Sequence, residues 1–314
     1  MKLMQKCFLL IVISSLMLPC AFALPRGNSA WVYGIKDSWV EQIQGFNAGV
    51  KKSHQFKYLF VDVGSATVKD NGRQLVIAYD KRRTRFYKKK LKDVKILASI
   101  SFWVKGTGFY RWDKATYQSE ADKIARLVIS DPNVCGVFLD LETYKKKLLP
   151  FYVELRKKLS AHNEILSVIV SPGDETISWF NALGANSIVV LYGYDLHKNA
   201  DSSIPVSPAV YARRLKYAVK HFVDISSAAK RFFMIGVPAI ATTYEWQKKT
   251  VETGEVLKNP FTQADYFKAS MNVNDEISSK YYLGVSVWAF ISSKRGQIYY
   301  PLKLSSAEWN VLKD

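Results

Sequence analysis

Cysteine is scarce. Of 3 cysteines in 314 residues, Cys7 and Cys20 fall within the first 23. From Leu24 onward only Cys135 remains, so no disulfide can close within that stretch and its stability must come from a buried core. Long apolar runs are equally rare. The run FLLIVISSLML near the N-terminus is shorter than the ~20 apolar residues that span a bilayer, and no later segment is long and apolar enough. A phosphate-cradling glycine loop, zinc-type Cys/His spacing and an RNA-binding signature are all missing. These absences turn the reading away from nucleotide-dependent, zinc-centred and sequence-specific RNA functions. Low-complexity linkers and shifts of composition are missing too, so nothing marks a domain boundary.

Acidic residues are the remaining deficit: 27 Asp and Glu stand against 45 Lys and Arg, for a formal net charge of +18. The excess is concentrated in KRRTRFYKKKLK (81–92), Lys145–Lys147 and Arg156–Lys158. Such a balance favours acidic surroundings, such as an anionic cell-wall polymer, outer-leaflet sugar phosphates or nucleic acid, or else forms a solvated basic face.

The N-terminus reads as a targeting segment. Lys2 and Lys6 precede the apolar stretch, which ends in Ala21-Phe22-Ala23, the pattern of a secretory signal with a small-residue cleavage site. The expectation is a signal peptide over 1–23 and one domain over 24–314, secreted or periplasmic and not membrane-bound after cleavage. Pro19 makes a poor lipobox around Cys20, which disfavours lipid anchoring.

What is present is a recurring pattern. AWVYG (30–34), YLFVDV (58–63), KILASIS (95–101), GVFLDL (136–141), LSVIV (166–170), SIVVLYG (187–193), FFMIGV (232–237) and GVSVWAF (284–290) are short apolar runs with helical patterns between them. Continuous rather than alternating apolar character suits strands buried on both faces, as in a parallel sheet covered by helices. Leu148, Tyr152, Leu155 and Leu159 line one face of a helix, with Pro150 fitting its first turn. Similar patterns occupy 117–130 and 207–222, and DNG (70–72) before RQLVIAY predicts a hairpin excursion. An α/β fold follows, a (β/α)8 TIM barrel with short insertions, with an open doubly wound sheet as the alternative.

VFLDLET (137–143) places Asp140 and Glu142 at the end of the fourth run. Residues two apart on a strand point the same way, with Cα atoms about 6.5–7 Å apart. Both carboxylates can then face the cavity formed at strand C-termini in a barrel. Close like charges raise one proton affinity, leaving one group able to donate a proton while its neighbour stays anionic.

GVFLDLE resembles the strand-four signature of family 18 glycoside hydrolases, the chitinases and endo-N-acetylglucosaminidases, written D-G-x-D-x-D-x-E. Gly136, Asp140 and Glu142 match it. VVLYGYDLH (189–197) is similar to the strand-six M-x-Y-D segment, FMIGVPA (233–239) to the strand-seven G-x-P run, and GVSVWAF to the strand-eight segment. The resemblance implies Glu142 as general acid and Asp140 as the residue that orients the substrate acetamide. It places Tyr194 and Asp195 as acetamide contacts and Trp288 as the apolar floor under the reacting sugar. It further implies substrate-assisted retaining hydrolysis of chitin, peptidoglycan or N-glycans containing N-acetylglucosamine, with neither cofactor nor metal.

Several positions depart from the family. Cys135 and Phe138 stand at its first two aspartates, the second of which normally shares a proton network with the third. ASISFW replaces S-x-G-G on strand three, and the Ile240–Tyr282 segment is short for the inserted subdomain, which implies a shallower cleft. A catalytically silent carbohydrate-binding protein is therefore the alternative, with a muramidase of another family behind it. Each residue also has a structural reading. Asp140 and Glu142 could be a salt-bridged strand end beside Lys145–Lys147, Asp195 a turn cap, Trp288 core, and His197 a plain loop histidine. Trp103, Tyr110 and Trp112 could line a sugar cleft or simply pack, and Cys135 reads as a small buried hydrophobe.

Overall fold

The computed structural model describes residues 24–69, 74–103, 112–141, 148–172, 177–193, 196, 198–199, 202–238 and 263–291. In chain order they form β1 (Asn28–Tyr33), α1 (Asp37–Gly49), β2 (Phe56–Lys69), β3 (Gln74–Ile77), α2 (Lys81–Lys90), β4 (Lys95–Trp103) and α3 (Lys114–Ile129). There follow β5 (Gly136–Asp140), α4 (Leu149–Ser160), β6 (Ile165–Val170), α5 (Ile177–Leu183) and β7 (Ser187–Tyr192). The chain continues with β8 (Lys198–Asn199), β9 (Ser202–Pro205), α6 (Pro208–Ala229), β10 (Phe232–Pro238), α7 (Gln263–Asp275) and β11 (Tyr282–Ile291).

Eight parallel strands run in the order β1-β11-β10-β7-β6-β5-β4-β2, and β1 pairs with β2, so the sheet closes into a barrel. These are the eight apolar runs of the sequence. An open doubly wound sheet would leave two edges, and closure removes them. The hairpin around DNG is also present: β3 pairs antiparallel with the extension of β2, Lys69 opposite Gln74, while 70–73 lie outside the described residues. Buried Glu120 of α3 accepts the Leu75 amide at 2.9 Å and pairs with Lys123, which fixes the hairpin against the barrel wall.

Local chemistry sets the helix starts. Asp113 accepts the Thr116 amide at 2.7 Å to cap α3, and Ser207 accepts Val210 at 3.3 Å ahead of Pro208 in the first turn of α6. Pro150 lies in the first turn of α4, whose buried face is Phe151, Tyr152, Leu155 and Leu159. At Gly136, φ is +153°, and a Cβ would meet the Ile165 carbonyl oxygen at 2.1 Å. Only glycine lets β5 start this close to β6.

Two apolar shells result. The outer one lies between strands and helices, and the inner one fills the barrel axis. At its centre Phe138 stacks on Phe60 (centroids 4.5 Å apart, 17° between planes) and meets Trp31 edge-on at 4.6 Å. Large rings on the axis require small neighbours, and residues flanking Phe138 in register are Ser99 and Ser167. The Trp31 indole donates to Ser286 at 2.7 Å.

The opposite, N-terminal end of the strands holds a second polar group. Asp131 accepts from Thr84 (2.7 Å), from the Asn133 amide and side chain (3.1 and 2.7 Å) and from Tyr79 (3.2 Å). Glu164, just before β6, has its Oε2 buried without a hydrogen-bond partner among the described residues. Burial, then the charge of Asp131, pushes its carboxyl up to about 7, with Lys95 opposing. The fold therefore binds this proton more tightly than the unfolded chain. That stability is complete below the ordinary value of 4.5 and is lost as pH rises toward about 7. Glu164→Gln is expected to leave Tm unchanged near pH ~4 and to raise it near pH ~8. The expected gain is about 1–2 kcal/mol, after discounting for partial exposure, or roughly 2–8 °C. Equal melting of both proteins at the higher pH would contradict the assignment.

Candidate active site

Strand periodicity carries the pattern from the aromatic plug to the C-terminal mouth. Two residues beyond Trp31, Ser99, Phe138, Val190 and Ser286 on their strands stand Tyr33, Ser101, Asp140, Tyr192 and Trp288. Tyr33, Tyr192 and Trp288 pack on the inner shell, partly exposed. Ser101 lies opposite Asp140 in the β4–β5 register, and its hydroxyl donates to Asp140 Oδ2 at 3.0 Å. The Trp288 indole donates to the Tyr33 hydroxyl at 3.2 Å. Because β5 and β11 are four strands apart in a ring of eight, Asp140 and Trp288 lie on opposite sides of the mouth.

Of the residues singled out in the sequence, Asp140 and Trp288 thus belong to one layer at the mouth. Glu142 lies outside the described residues, as do Tyr194, Asp195, His197, Tyr110 and Lys145–Lys147. Trp112 is buried and packs edge-on against Tyr117 and Phe151 at 5.7 and 5.6 Å, so it is core. Cys135 packs against the inner shell. Its thiol donates to the Ile96 carbonyl at 3.4 Å, and burial pushes its pKa up to about 11, so it is no nucleophile.

Tyr33, Ser101 and Tyr192 were not anticipated. Each sits two positions after a residue pointing into the barrel, so period-two counting from the strand interiors could have found them. Asp62 was also passed over. Burial raises its pKa while Arg83 of α2 opposes the shift, and the guanidinium holds both its carboxylate and its carbonyl. That ion pair ties α2 to β2 and reads as scaffold.

Phe138 has a specific consequence. The position at which the family places an aspartate is fully buried in an aromatic stack. No carboxylate lies beneath Asp140 there, and the hydroxyl of Ser101 approaches Asp140 from the neighbouring strand instead.

Comparison with known proteins agrees with the barrel. Among curated proteins no sequence matches the chain. Solved structures do. The chitinase ChiB of Flavobacterium johnsoniae superposes with a TM-score of 0.51 at 13% identity, covering 92% of this chain and 94% of that one. The spore cortex-lytic enzyme SleL of Bacillus megaterium superposes at 0.55 and 15% identity, covering 92% and 74%. Cel5A of Thermotoga maritima, solved with cellobiose, gives 0.53 at 13% identity, covering 91% and 97%. Likenesses at this identity speak to the barrel, which enzymes of different specificity share. The sequence itself decides further. Its match to the family described as glycosyl hydrolases family 18 extends over residues 31–301, from β1 past β11 and through the mouth, and the chain belongs to that family.

Proposed function

We propose that the protein is a secreted or periplasmic glycosidase that cleaves glycans containing N-acetylglucosamine, with Glu142 as its proton donor. The supporting observation is the mouth itself: Asp140, oriented by Ser101, faces Trp288 across the open end of a family 18 barrel. In this reading Glu142 protonates the glycosidic oxygen while the acetamide oxygen of the substrate bonds to the anomeric carbon and the leaving sugar departs. Glu142, now anionic, takes a proton from the water that opens the cyclic intermediate, so configuration is retained without a protein nucleophile. Retaining enzymes of this substrate-assisted kind stand outside the two-carboxylate scheme. Asp140, Tyr194 and Asp195 hold the acetamide for attack, where prior placement supplies several kcal/mol of the barrier. Trp288 offers the sugar an apolar face, with its indole fixed by Tyr33.

Product analysis after incubation with peptidoglycan, chitin oligomers and a high-mannose glycan tests the proposal, and cleavage of none would overturn it. Trp288→Ala is expected to raise KM about tenfold, as loss of an aromatic contact worth ~1.4 kcal/mol would do. Trp288→Phe keeps the platform and most of the affinity. An unchanged KM in the alanine variant would return Trp288 to the core. A second reading, a silent carbohydrate-binding barrel, is favoured by one observation, the burial of Phe138 where the family has a carboxylate. Sugar binding without turnover would select it.

A further inference from the structure

Among the described residues, unpaired lysines are unevenly placed, although the helix-to-strand connections also hold Asp93, Asp131, Glu164 and Glu276. In a (β/α)8 barrel the connections from helix to following strand all lie on the face opposite the mouth. Here those connections carry Lys51 and Lys52 between α1 and β2, Lys92 between α2 and β4, and Lys230 between α6 and β10. The helix ends that run into them add Lys88–Lys90 and Lys157–Lys158. Lys51, Lys52, Lys89, Lys92 and Lys230 are exposed, and no ion pair among the described residues engages them. Complementing a helix dipole needs a cation within the last turn. Neither α1 nor α6 has a basic residue there, so Lys51, Lys52 and Lys230 lie beyond that role.

The same face bears a groove. Between the ends of α3 and α4 a cleft of about 710 Å³ is lined by Arg126, Lys158 and His162 together with Ala125, Ile129 and Ala161. Asp122 bridges the helices through Lys158 (2.9 Å) and Arg126. Among the described residues the exposed large apolar side chains are Ile35, Val76 and Tyr217. Ile35 follows β1 and Val76 is on β3, both toward the mouth, and Tyr217 is on the flank of α6. On the basic face the described aromatics Phe232 and Tyr281 are partly buried and pack edge-on against each other, so no strongly exposed ring is presented to a base and no apolar wedge to a bilayer.

We infer that the face opposite the mouth is a docking surface for an anionic glycan, a sugar polymer bearing regularly spaced phosphate, sulfate or carboxylate groups. The choice of a glycan over other polyanions rests on the glycosidase reading; the location of the surface does not. Cations spread over several connections suit an extended chain of charges better than one small anion, and the α3–α4 cleft seats one sugar unit. Docking on this side leaves the mouth open and holds the barrel close to glycans of the same envelope, which raises their effective concentration at the mouth.

Dextran sulfate serves as the anionic glycan probe, with neutral dextran, phosphatidylglycerol vesicles and duplex DNA as comparisons, and binding of the full chain is measured without any turnover step. Binding to dextran sulfate is expected, none to neutral dextran, with affinity falling at least about tenfold between ~50 and ~200 mM salt. The quadruple variant Lys51→Glu/Lys52→Glu/Lys89→Glu/Lys92→Glu is expected to lose at least about tenfold in affinity. Its control, Lys69→Glu/Lys114→Glu/Arg213→Glu/Lys268→Glu, removes the same charge from exposed positions away from that face and is expected to lose less than about threefold. A glutamine version of the first set, compared by circular dichroism, separates lost binding from lost folding. Equal losses in both variants would reduce the effect to net charge. Tighter binding to vesicles or DNA than to dextran sulfate would overturn the glycan assignment. Either result leaves the glycosidase reading to its own assay.

Discussion

Glu142→Gln is expected to lower kcat on an N-acetylglucosamine-linked reporter by roughly 10²–10⁴-fold, the usual contribution of a positioned general acid. Glutamine keeps the size and hydrogen-bonding reach of glutamate but cannot give up a proton to the leaving oxygen. KM is expected to change little, because the lost interaction belongs to the transition state and not to the bound sugar. Asp140→Asn should behave differently. The amide oxygen can still accept from Ser101, whose hydroxyl stands 3.0 Å from Oδ2 in the wild type, but the negative charge is gone. In the proposed mechanism, loss of that charge takes away both the anionic neighbour expected to favour the protonated form of Glu142 and the group expected to steady the acetamide. The pH profile of kcat/KM, compared among wild type and both variants, checks this: the alkaline limb, where the Glu142 proton is lost, should move to lower pH in Asp140→Asn and vanish in Glu142→Gln. Wild-type turnover equal to that of Glu142→Gln would remove Glu142 from the mechanism.

Phe138→Asp, the substitution that restores the residue usual in the family, is expected to destabilise the fold by about 4 kcal/mol or more without gain of activity. Truncating a buried phenylalanine alone costs ~3–5 kcal/mol. Here the ring is fully buried, stacked on Phe60 and wedged against Trp31, so the loss opens a cavity on the barrel axis. A carboxylate placed there must also be desolvated. The hydroxyls of Ser99 and Ser167, buried beside the position and without hydrogen-bond partners among the described residues, offset part of that cost. Phe138→Leu, which keeps most of the apolar volume, should cost roughly 1–2 kcal/mol. Denaturant midpoints for the three proteins, together with activity, provide the check. A stable and faster aspartate variant would show that the axis tolerates a charge and that the aromatic plug is dispensable.

The mouth was half legible. Asp140 and Trp288 could be read because each ends a strong apolar run, where a polar or bulky residue stands out. Period-two counting places Ser101 and Tyr33 on the same layer but does not single them out, since serine and tyrosine fit a strand interior equally well. Their importance comes from partners 39 and 255 residues away in the chain, Asp140 and Trp288. The aromatic after strand three that proved to be core, Trp112, illustrates the same limit: composition shows a large ring, and only its neighbours Tyr117 and Phe151 show that it packs inward. Local hydrogen-bond chemistry and apolar periodicity act over a few residues, which is why the hairpin, the first turn of α4 and all eight strands were visible in advance.

By itself the sequence determined the alternation of strand and helix, the parallel arrangement implied by strands apolar on both faces, the basic excess and the acid pair at the end of the fourth run. Tertiary structure bore out the expected closed barrel over the open sheet, and it alone decided that Phe138, Phe60 and Trp31 fill one axis and which hydroxyl orients Asp140. It also decided that Lys51, Lys52, Lys89, Lys92 and Lys230, dispersed along the chain, lie on the side away from the mouth. The physical reason is common to all of these: ring closure, stacking and summed charge depend on distances between residues remote in sequence, and those distances exist only once the barrel has formed.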